Sequence, residues 1–514
     1  MKLFKSILSL VLALIVIFSC CSVALGAEEK EDYPVITVCG LGYGCVKIYY
    51  EDDPEKKSLF YPFDEDRFIG NLYNIDDYIV DSVMKGDYDI LHSVIYNYLV
   101  DSFGMLALTP EGENMPGVAN DDPWLRKKGD KKYEFVCDNR QNPFLLAAQL
   151  RDAIDEVMEK HGTDKVELIG SSYGANVVAA YVYTYPEECH ELDTVMLRVP
   201  SIGGVNFIGE LFSGNLTVNP RAFCDFIEDL AGAGVIPDFL YIMEEAGVLD
   251  VFLEALVVPV LREAIYDAVV DAGREFLVTF PALWVCIPDE YFEKAMIFVH
   301  GENYKDPDHK YAKLISDMTF YHYEIANKVV DLFTELEKNN DGLDVAMIAK
   351  FGNPAIPLSS GETVIDDGFV TVPVASFGAT CANYGEKLPK DYVQQRYPEY
   401  NLMSPEWNID ASTGAFPFRT WYIKGIDHTG DNKDFLKLVD EIVFEDIDIF
   451  SKPNRSQFLT VSEENPDLLV PIVAEEEKEL TFFEKLLEFF RKLLIIPRTI
   501  IENLLEGKDI SIIK

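Results

Sequence analysis

The residues best suited to chemistry in this chain are the five at positions 170–174, Gly-Ser-Ser-Tyr-Gly, which fit the pattern Gly-x-Ser-x-Gly. In that pattern the central serine, here Ser172, occupies a sharp turn between a strand and a helix and holds its hydroxyl clear of the backbone. Gly170 and Gly174 lack a Cβ, so the strand and the helix can approach closely around the serine. Ser172 is therefore the candidate nucleophile of a covalent mechanism.

A serine hydroxyl is a weak nucleophile at its own pKa and needs a histidine base that a carboxylate orients. Where the order along the chain is serine, acid and histidine, the base comes late, and His428 is the only histidine beyond residue 322. For the acid, residues 365–370, Ile-Asp-Asp-Gly-Phe-Val, offer two adjacent carboxylates in a glycine turn. Either Asp366 or Asp367 could face the imidazole, and a turn whose aspartates only cap the backbone is the alternative.

The charge that develops on a reacting carbonyl oxygen must be met by backbone N–H groups. We expect one from Tyr173, the residue after the nucleophile, and a second from Leu41 in the glycine-rich turn at residues 40–42. A dinucleotide site would use similar glycines, but no third glycine opens a helix there. The mechanism needs no metal or organic cofactor, and no cysteine pair has the spacing of zinc ligands.

The serine pattern lies in a stretch where strand and helix patterns alternate. They predict a strand, a helix, a strand and a helix at residues 133–136, 143–161, 166–169 and 175–185. This order predicts a parallel sheet. Strand patterns return at residues 345–349 and 418–423, which places the candidate acid and base at strand ends. The sequence thus predicts an α/β protein with a mostly parallel central sheet flanked by helices.

Other segments divide the chain further. Residues 205–300 change to helical patterns, which predicts a helical cap inserted into a domain spanning residues 27–455. The apolar residues of this insert cover more than one narrow stripe, as expected if one face turns to an apolar substrate, and ordinary helix packing is the alternative. Residues 456–479 are predicted to be a charged linker. Residues 480–514 are predicted to form an amphipathic helical tail that docks on the domain, pairs with a partner or lies in a membrane interface.

The N-terminus predicts export. Two lysines precede an apolar run at residues 7–18, and Ala-Leu-Gly at residues 24–26 offers a small-residue cleavage site. Residues 1–26 are therefore predicted to be a secretory signal peptide, with lipoprotein processing at Cys20 as the alternative. Such a leader predicts a secreted bacterial protein, extracellular or at the cell surface.

Charge and cysteine content limit the partners and the crosslinks. The 88 acidic residues outnumber the 44 basic ones and give a net charge of −44 at pH 7. This charge argues against nucleic acid or a bare anionic bilayer as the main partner. The cysteines beyond the predicted leader have irregular spacing, which is not typical of a disulfide framework. Cys39 and Cys45 bracket a glycine turn and could form a bridge, with buried thiols as the alternative.

Three more segments carry a family resemblance. Residues 135–140 (Phe-Val-Cys-Asp-Asn-Arg), 280–288 (Phe-Pro-Ala-Leu-Trp-Val-Cys-Ile-Pro) and 367–370 (Asp-Gly-Phe-Val) are similar to three motifs of one family. These are the Tyr-Asp-x-Arg before the elbow helix, the stretch that closes the cap, and the Asp-Gly-Thr-Val around the catalytic aspartate. With them the chain resembles, over about residues 34–440, the lecithin:cholesterol acyltransferase and phospholipid:diacylglycerol acyltransferase branch of the α/β-hydrolase superfamily. The resemblance selects Asp367 as the acid, although the second half of that motif is displaced by two residues here, at 371–376.

The resemblance implies an α/β-hydrolase fold with a helical cap and a serine carboxylic-ester hydrolase (lipase, esterase or phospholipase) or an O-acyltransferase. Its substrate would be a lipid or another acyl ester. Hydrolysis is favoured over acyl transfer, because water always reaches an extracellular acyl-enzyme, whereas a second lipid acceptor needs a dry pocket. The alternatives are a peptidase, a carbohydrate esterase, and a non-catalytic surface-binding protein that keeps this fold and is anchored by its C-terminal helix.

Overall fold

A computed structural model describes residues 33–42, 44–52, 89–215, 219–231, 235–253, 267–276, 278–352 and 365–474. The predicted signal peptide at residues 1–26 and the predicted helical tail at residues 480–514 lie outside the described residues. Within the described part, none of the helices is long and apolar enough to cross a membrane.

The described residues contain strands β1 to β13. In chain order these are Val35–Val38, Ile48–Tyr50, Val118–Asn120, Trp124–Lys127, Lys132–Val136, Val166–Ser171, Leu192–Arg198, Asp344–Phe351, Thr380–Cys381, Ile409–Asp410, Thr420–Lys424, Phe458–Val461 and Leu469–Pro471. Nine of them form one sheet in the order β13-β12-β11-β8-β7-β6-β1-β5-β4. The strands from β12 to β5 run parallel, and β13 and β4 are antiparallel edge strands. The prediction of an α/β protein with a mostly parallel sheet is therefore confirmed.

Helices flank this sheet. They are Asp89–Phe103, Pro143–His161, Tyr173–Thr184, Asn206–Ser213, Pro220–Ala231, Val235–Glu245, Leu249–Phe252, Asp267–Phe276, Pro281–Trp284, Asp289–His300, Ala312–Glu324, Val329–Asn339, Val372–Ala375 and Lys433–Glu445. The predicted strand-helix-strand-helix run is observed as β5, Pro143–His161, β6 and Tyr173–Thr184. All of β6 is buried, as its apolar sequence predicts.

Local signals fix the helix Pro143–His161 at both ends. Asn142 accepts a hydrogen bond from the Phe144 N–H at the N-terminus, where Pro143 occupies the first turn. Gly162 ends the helix in the left-handed conformation, at a φ of 63°. The buried side chains of this helix recur at helical spacing and pack into the main core cluster with β6. These signals explain why its predicted bounds match the observed ones.

The helical insertion between β7 and β8 is longer than the cap predicted at residues 205–300. Its helices begin at Asn206 and continue to Asn339. The last of them, Val329–Asn339, contacts β8 and the helix Tyr173–Thr184, so it belongs to the layer that covers the sheet. The helix Asp89–Phe103 packs on Asp267–Phe276 within the insertion, and His92 Nε2 lies 3.2 Å from Asp271 Oδ2.

One segment differs from its prediction. Residues 456–479 were predicted to be a linker, but their first part forms β12 and β13 at the edge of the sheet. Phe458 and Leu459 are buried against the core, and the neighbouring acidic residues obscure this short strand pattern.

All described cysteines are free thiols, so Cys39 and Cys45 form no bridge. Burial raises the pKa of the Cys39 thiol to about 11, which is typical of an inert thiol.

Candidate active site

The turn after β6 places Ser172 in an uncommon backbone conformation, with φ 53° and ψ −122°, just before the helix Tyr173–Thr184. The two glycines of the pattern make this turn sterically feasible. A Cβ on Gly174 would lie 2.0 Å from the Val38 carbonyl oxygen, and a Cβ on Gly170 would lie 2.8 Å from the Ala175 Cα. Any side chain at either position would therefore displace backbone, and the sharp turn depends on both glycines.

The structure brings together the three side chains predicted from separate segments. Ser172 Oγ lies 2.8 Å from His428 Nε2, and His428 Nδ1 lies 2.7 Å from Asp367 Oδ2. They follow strands β6, β11 and β8, which are parallel neighbours or near neighbours in the sheet. The carboxyl ends of parallel strands meet at one edge, and loops from that edge converge on a common site.

Asp367 is held rigidly. Its side chain is fully buried, and its Oδ1 accepts hydrogen bonds from the N–H groups of Phe369 at 3.0 Å and Val370 at 2.7 Å. Its backbone carbonyl accepts the His428 N–H at 3.1 Å. With Oδ1 satisfied by the turn, Oδ2 is the oxygen that faces the imidazole. The carboxylate therefore fixes both the ring orientation of His428 and the nitrogen that carries the proton.

The neighbouring Asp366 has a different environment. Its Oδ1 accepts the Gly368 N–H at 2.9 Å, as in a turn whose aspartate caps the backbone. Burial raises its pKa to about 7, the Gly368 N–H opposes this shift, and the charge of Asp367 adds to it. Of the two carboxylates that the sequence offers, Asp367 contacts the histidine.

Two backbone segments border the serine hydroxyl. Tyr173 is the first residue of its helix, so its N–H has no carbonyl one turn earlier in that helix to bond. Opposite it, Gly40 packs so tightly on Ser172 that a Cβ there would lie 2.8 Å from the serine Cβ and 3.3 Å from its Oγ. Leu41 follows directly and lines the same cavity as Ser172 and His428. Both segments predicted to supply N–H donors therefore border the candidate nucleophile.

The segment at residues 135–140 supports the turn that contains Gly40. Asn139 donates from Nδ2 to the Gly40 carbonyl at 2.9 Å. On either side of it, Arg140 and Asp138 form a buried ion pair, with Nη2 2.7 Å from Oδ2 and Nε 2.9 Å from Oδ1. Arg140 also donates to the Met105 carbonyl at 3.2 Å. A bidentate pair of this kind fixes the local backbone and with it Asn139.

Two basic residues near the site were not singled out by the sequence patterns. Lys350, at the end of β8, donates from its ammonium to the carbonyl oxygens of the loop that carries His428. Arg198, at the end of β7, donates from Nε to Ser171 Oγ at 2.9 Å. The one sequence signal for Lys350 is a charged residue directly after the apolar strand pattern at residues 345–349.

A cavity of about 620 Å³ opens on Ser172 and His428. It extends across the sheet under the helix Lys433–Glu445, and its lining includes the apolar side chains of Leu41, Leu436 and Phe444. This volume lies within the range of small-molecule sites.

Comparisons with known proteins add no assignment. No protein-family model matches the chain, and none of the curated proteins matches it significantly.

Proposed function

We propose that this protein is a secreted serine hydrolase of the α/β-hydrolase fold that cleaves acyl esters through Ser172, His428 and Asp367. The observation that supports this most strongly is the continuous chain of hydrogen bonds from the Ser172 hydroxyl through both imidazole nitrogens to a buried carboxylate. A base bonded to the nucleophile and oriented by a third group is the arrangement that activates a serine.

In this mechanism His428 Nε2 takes the hydroxyl proton of Ser172 as Oγ attacks the ester carbonyl. The carbonyl oxygen becomes negatively charged and is stabilised by the N–H groups of Tyr173 and Leu41. The imidazolium then gives its proton to the leaving alcohol, which leaves an acyl group on Ser172. A water molecule, deprotonated by His428, attacks this acyl-enzyme, and the carboxylic acid is released with the serine restored.

The α/β-hydrolase assignment is supported by the position of Ser172 after a central parallel strand, by its uncommon positive-φ backbone conformation and by the order of serine, acid and histidine along the chain. The resemblance of residues 135–140, 280–288 and 367–370 to the acyltransferase family favours a lipid acyl ester as substrate. The cavity beside Ser172 is large enough for an acyl chain, and its lining combines apolar side chains such as Leu436 and Phe444 with charged ones such as Arg126 and Lys132.

The proposal is tested with p-nitrophenyl esters of increasing acyl length, using the chain without its predicted leader. The wild type should release p-nitrophenol, and Ser172→Ala should lose about 10⁶-fold in kcat. Ser171→Ala is the matched control, since it removes the adjacent hydroxyl, which bonds Arg198 and not His428. Preference for acetyl over long acyl groups would count against a lipid substrate. If the folded wild type cleaved no ester of any length, the proposed hydrolase activity would be wrong.

A further inference from the structure

Lys350 is a fully buried ammonium beneath the loop that carries His428. Its side chain is 1% exposed, and its Nζ donates to the backbone carbonyl oxygens of Asp427 at 3.1 Å, His428 at 3.4 Å and Gly430 at 2.5 Å. An ammonium has three N–H donors, so these three acceptors account for all of them. Burying a charge is costly unless it is fully hydrogen-bonded, and a hydrophobic residue would fill a core position at less cost.

The surroundings of Lys350 are mixed in charge. Asp431 lies 3.8 Å from the ammonium, and the Phe435 ring centroid lies 4.7 Å from it, from the helix Lys433–Glu445. Burial and the nearby Arg198 lower the pKa of Lys350 to about 8, against the opposing charges of Asp431, Asp367 and Asp427. The protein thus keeps a charge whose burial is costly, and the three hydrogen bonds of that charge all go to one short loop, at residues 427–430.

That loop is also held by the Gly425 N–H on the Phe351 carbonyl at 3.0 Å and by bonds within the turn, from Thr429 Oγ1 and the Gly430 N–H to Asp427 Oδ1. Residues 425, 427 and 429 are exposed, whereas Ile426 is buried in the core. The His428 N–H bonds the Asp367 carbonyl at 3.1 Å. Lys350 bonds the carbonyls on both sides of this contact, so it holds the peptide units that set the direction of the His428 side chain.

We propose that Lys350 is a positioning residue, whose buried ammonium holds the backbone of residues 427–430 so that the His428 ring bridges Ser172 and Asp367. Its effect on the reaction rests on the proposed function, but its effect on the ring geometry does not. A displacement of a reacting group by about 1 Å lowers the rate by roughly 10²-fold.

The test compares Lys350→Met with the wild type, and uses Lys433→Met as the matched control. Lys433 lies in the adjacent helix, is 83% exposed and pairs with Asp467. Lys350→Met should lower kcat for ester cleavage by roughly 10²-fold, with KM changed much less, because the substrate cavity stays intact. Lys433→Met should behave as the wild type. Wild-type kcat in folded Lys350→Met would overturn the proposal.

A second readout does not need activity. The Nδ1 proton that His428 shares with Asp367 should give a low-field NMR signal in the Ser172→Ala background, assigned by its loss in His428→Ala. We expect the signal to weaken or shift when Lys350→Met is added. Lys350→Gln, which can still donate, should recover part of it, whereas a purely structural Lys350 would leave the signal unchanged in every folded variant.

The two readouts separate the two claims. An unchanged signal would refute the positioning role even if the protein were an active hydrolase. A wild type that cleaves no ester but loses the signal in Lys350→Met would refute the proposed function alone. If Lys350→Met does not fold, Lys350→Gln decides between the outcomes on both readouts.

Discussion

Replacing Asp367 with asparagine should lower kcat by about 10³- to 10⁴-fold, although the new side chain has nearly the same shape. The reason lies in the turn that holds the carboxylate. Oδ1 accepts two backbone N–H groups, from Phe369 and Val370, so the carbonyl oxygen of an asparagine must take that position. Its NH₂ group then faces His428 Nδ1, in place of the Oδ2 that lies 2.7 Å away in the wild type.

An NH₂ group can only donate to Nδ1, so the neutral imidazole must carry its proton on Nε2. That nitrogen lies 2.8 Å from Ser172 Oγ and could no longer accept the serine proton. Asp367→Asn therefore removes the base while leaving the nucleophile and the cavity in place. KM should change much less than kcat, because the substrate contacts are unaffected.

Asp366→Asn is the matched control for this substitution. It changes the same residue type one position earlier, where the carboxylate accepts the Gly368 N–H and does not contact the imidazole. Its kcat should stay within about threefold of the wild type, because the Asp366 side chain contacts neither Ser172 nor His428 and removes no interaction with the reacting groups. Steady-state ester hydrolysis at pH 8 measures both variants. The reasoning is refuted if Asp367→Asn stays within tenfold of the wild type, or if Asp366→Asn loses as much activity.

Three further outcomes concern stability. Gly174→Ala should lower the free energy of unfolding by about 3 kcal/mol or more in urea denaturation, because the new Cβ would lie 2.0 Å from the Val38 carbonyl oxygen; wild-type stability would contradict the packing. Burial raises the pKa of Asp366 to about 7, so the folded state binds more protons than the unfolded state between pH 4 and 7. The free energy of unfolding therefore falls by up to about 4 kcal/mol over that interval. Asp366→Asn should be more stable than the wild type at pH 8 but not at pH 4. The pKa of Lys350 is lowered to about 8, so the unfolded state binds more protons than the folded state between pH 8 and 10.5. Over that interval the free energy of unfolding of the wild type should rise by about 3 kcal/mol relative to that of Lys350→Met. Parallel pH profiles for either pair would contradict the corresponding assignment.

Local patterns predicted the strand, turn and helix around Ser172 because the determinants are contiguous. Gly170 and Gly174 are required by contacts within this short segment and its nearest strand. His428 was found from chain order, since the sequence has few histidines. The choice between Asp366 and Asp367 depends on which carboxylate contacts His428, 61 residues later in the chain. The local sequence around the two aspartates does not determine this contact.

Other features depend on tertiary contacts between single residues. Lys350 and Asn139 act through backbone carbonyls of distant segments, at His428 and Gly40, so the local sequence does not show which groups they bond. The strands β12 and β13 were missed because short edge strands carry few buried residues and the charged residues around them favour a linker. The order of nine strands in the sheet likewise follows from packing rather than from any one segment.

The central claim, that Ser172 is an activated nucleophile, is tested most directly by labelling the intact protein with a fluorophosphonate. Tandem mass spectrometry should find the adduct on Ser172, with no label in Ser172→Ala and a rate at least 10³-fold lower in His428→Ala. Ser171→Ala should label as the wild type does. A folded wild type that does not label, or an adduct that persists in Ser172→Ala, would contradict the account.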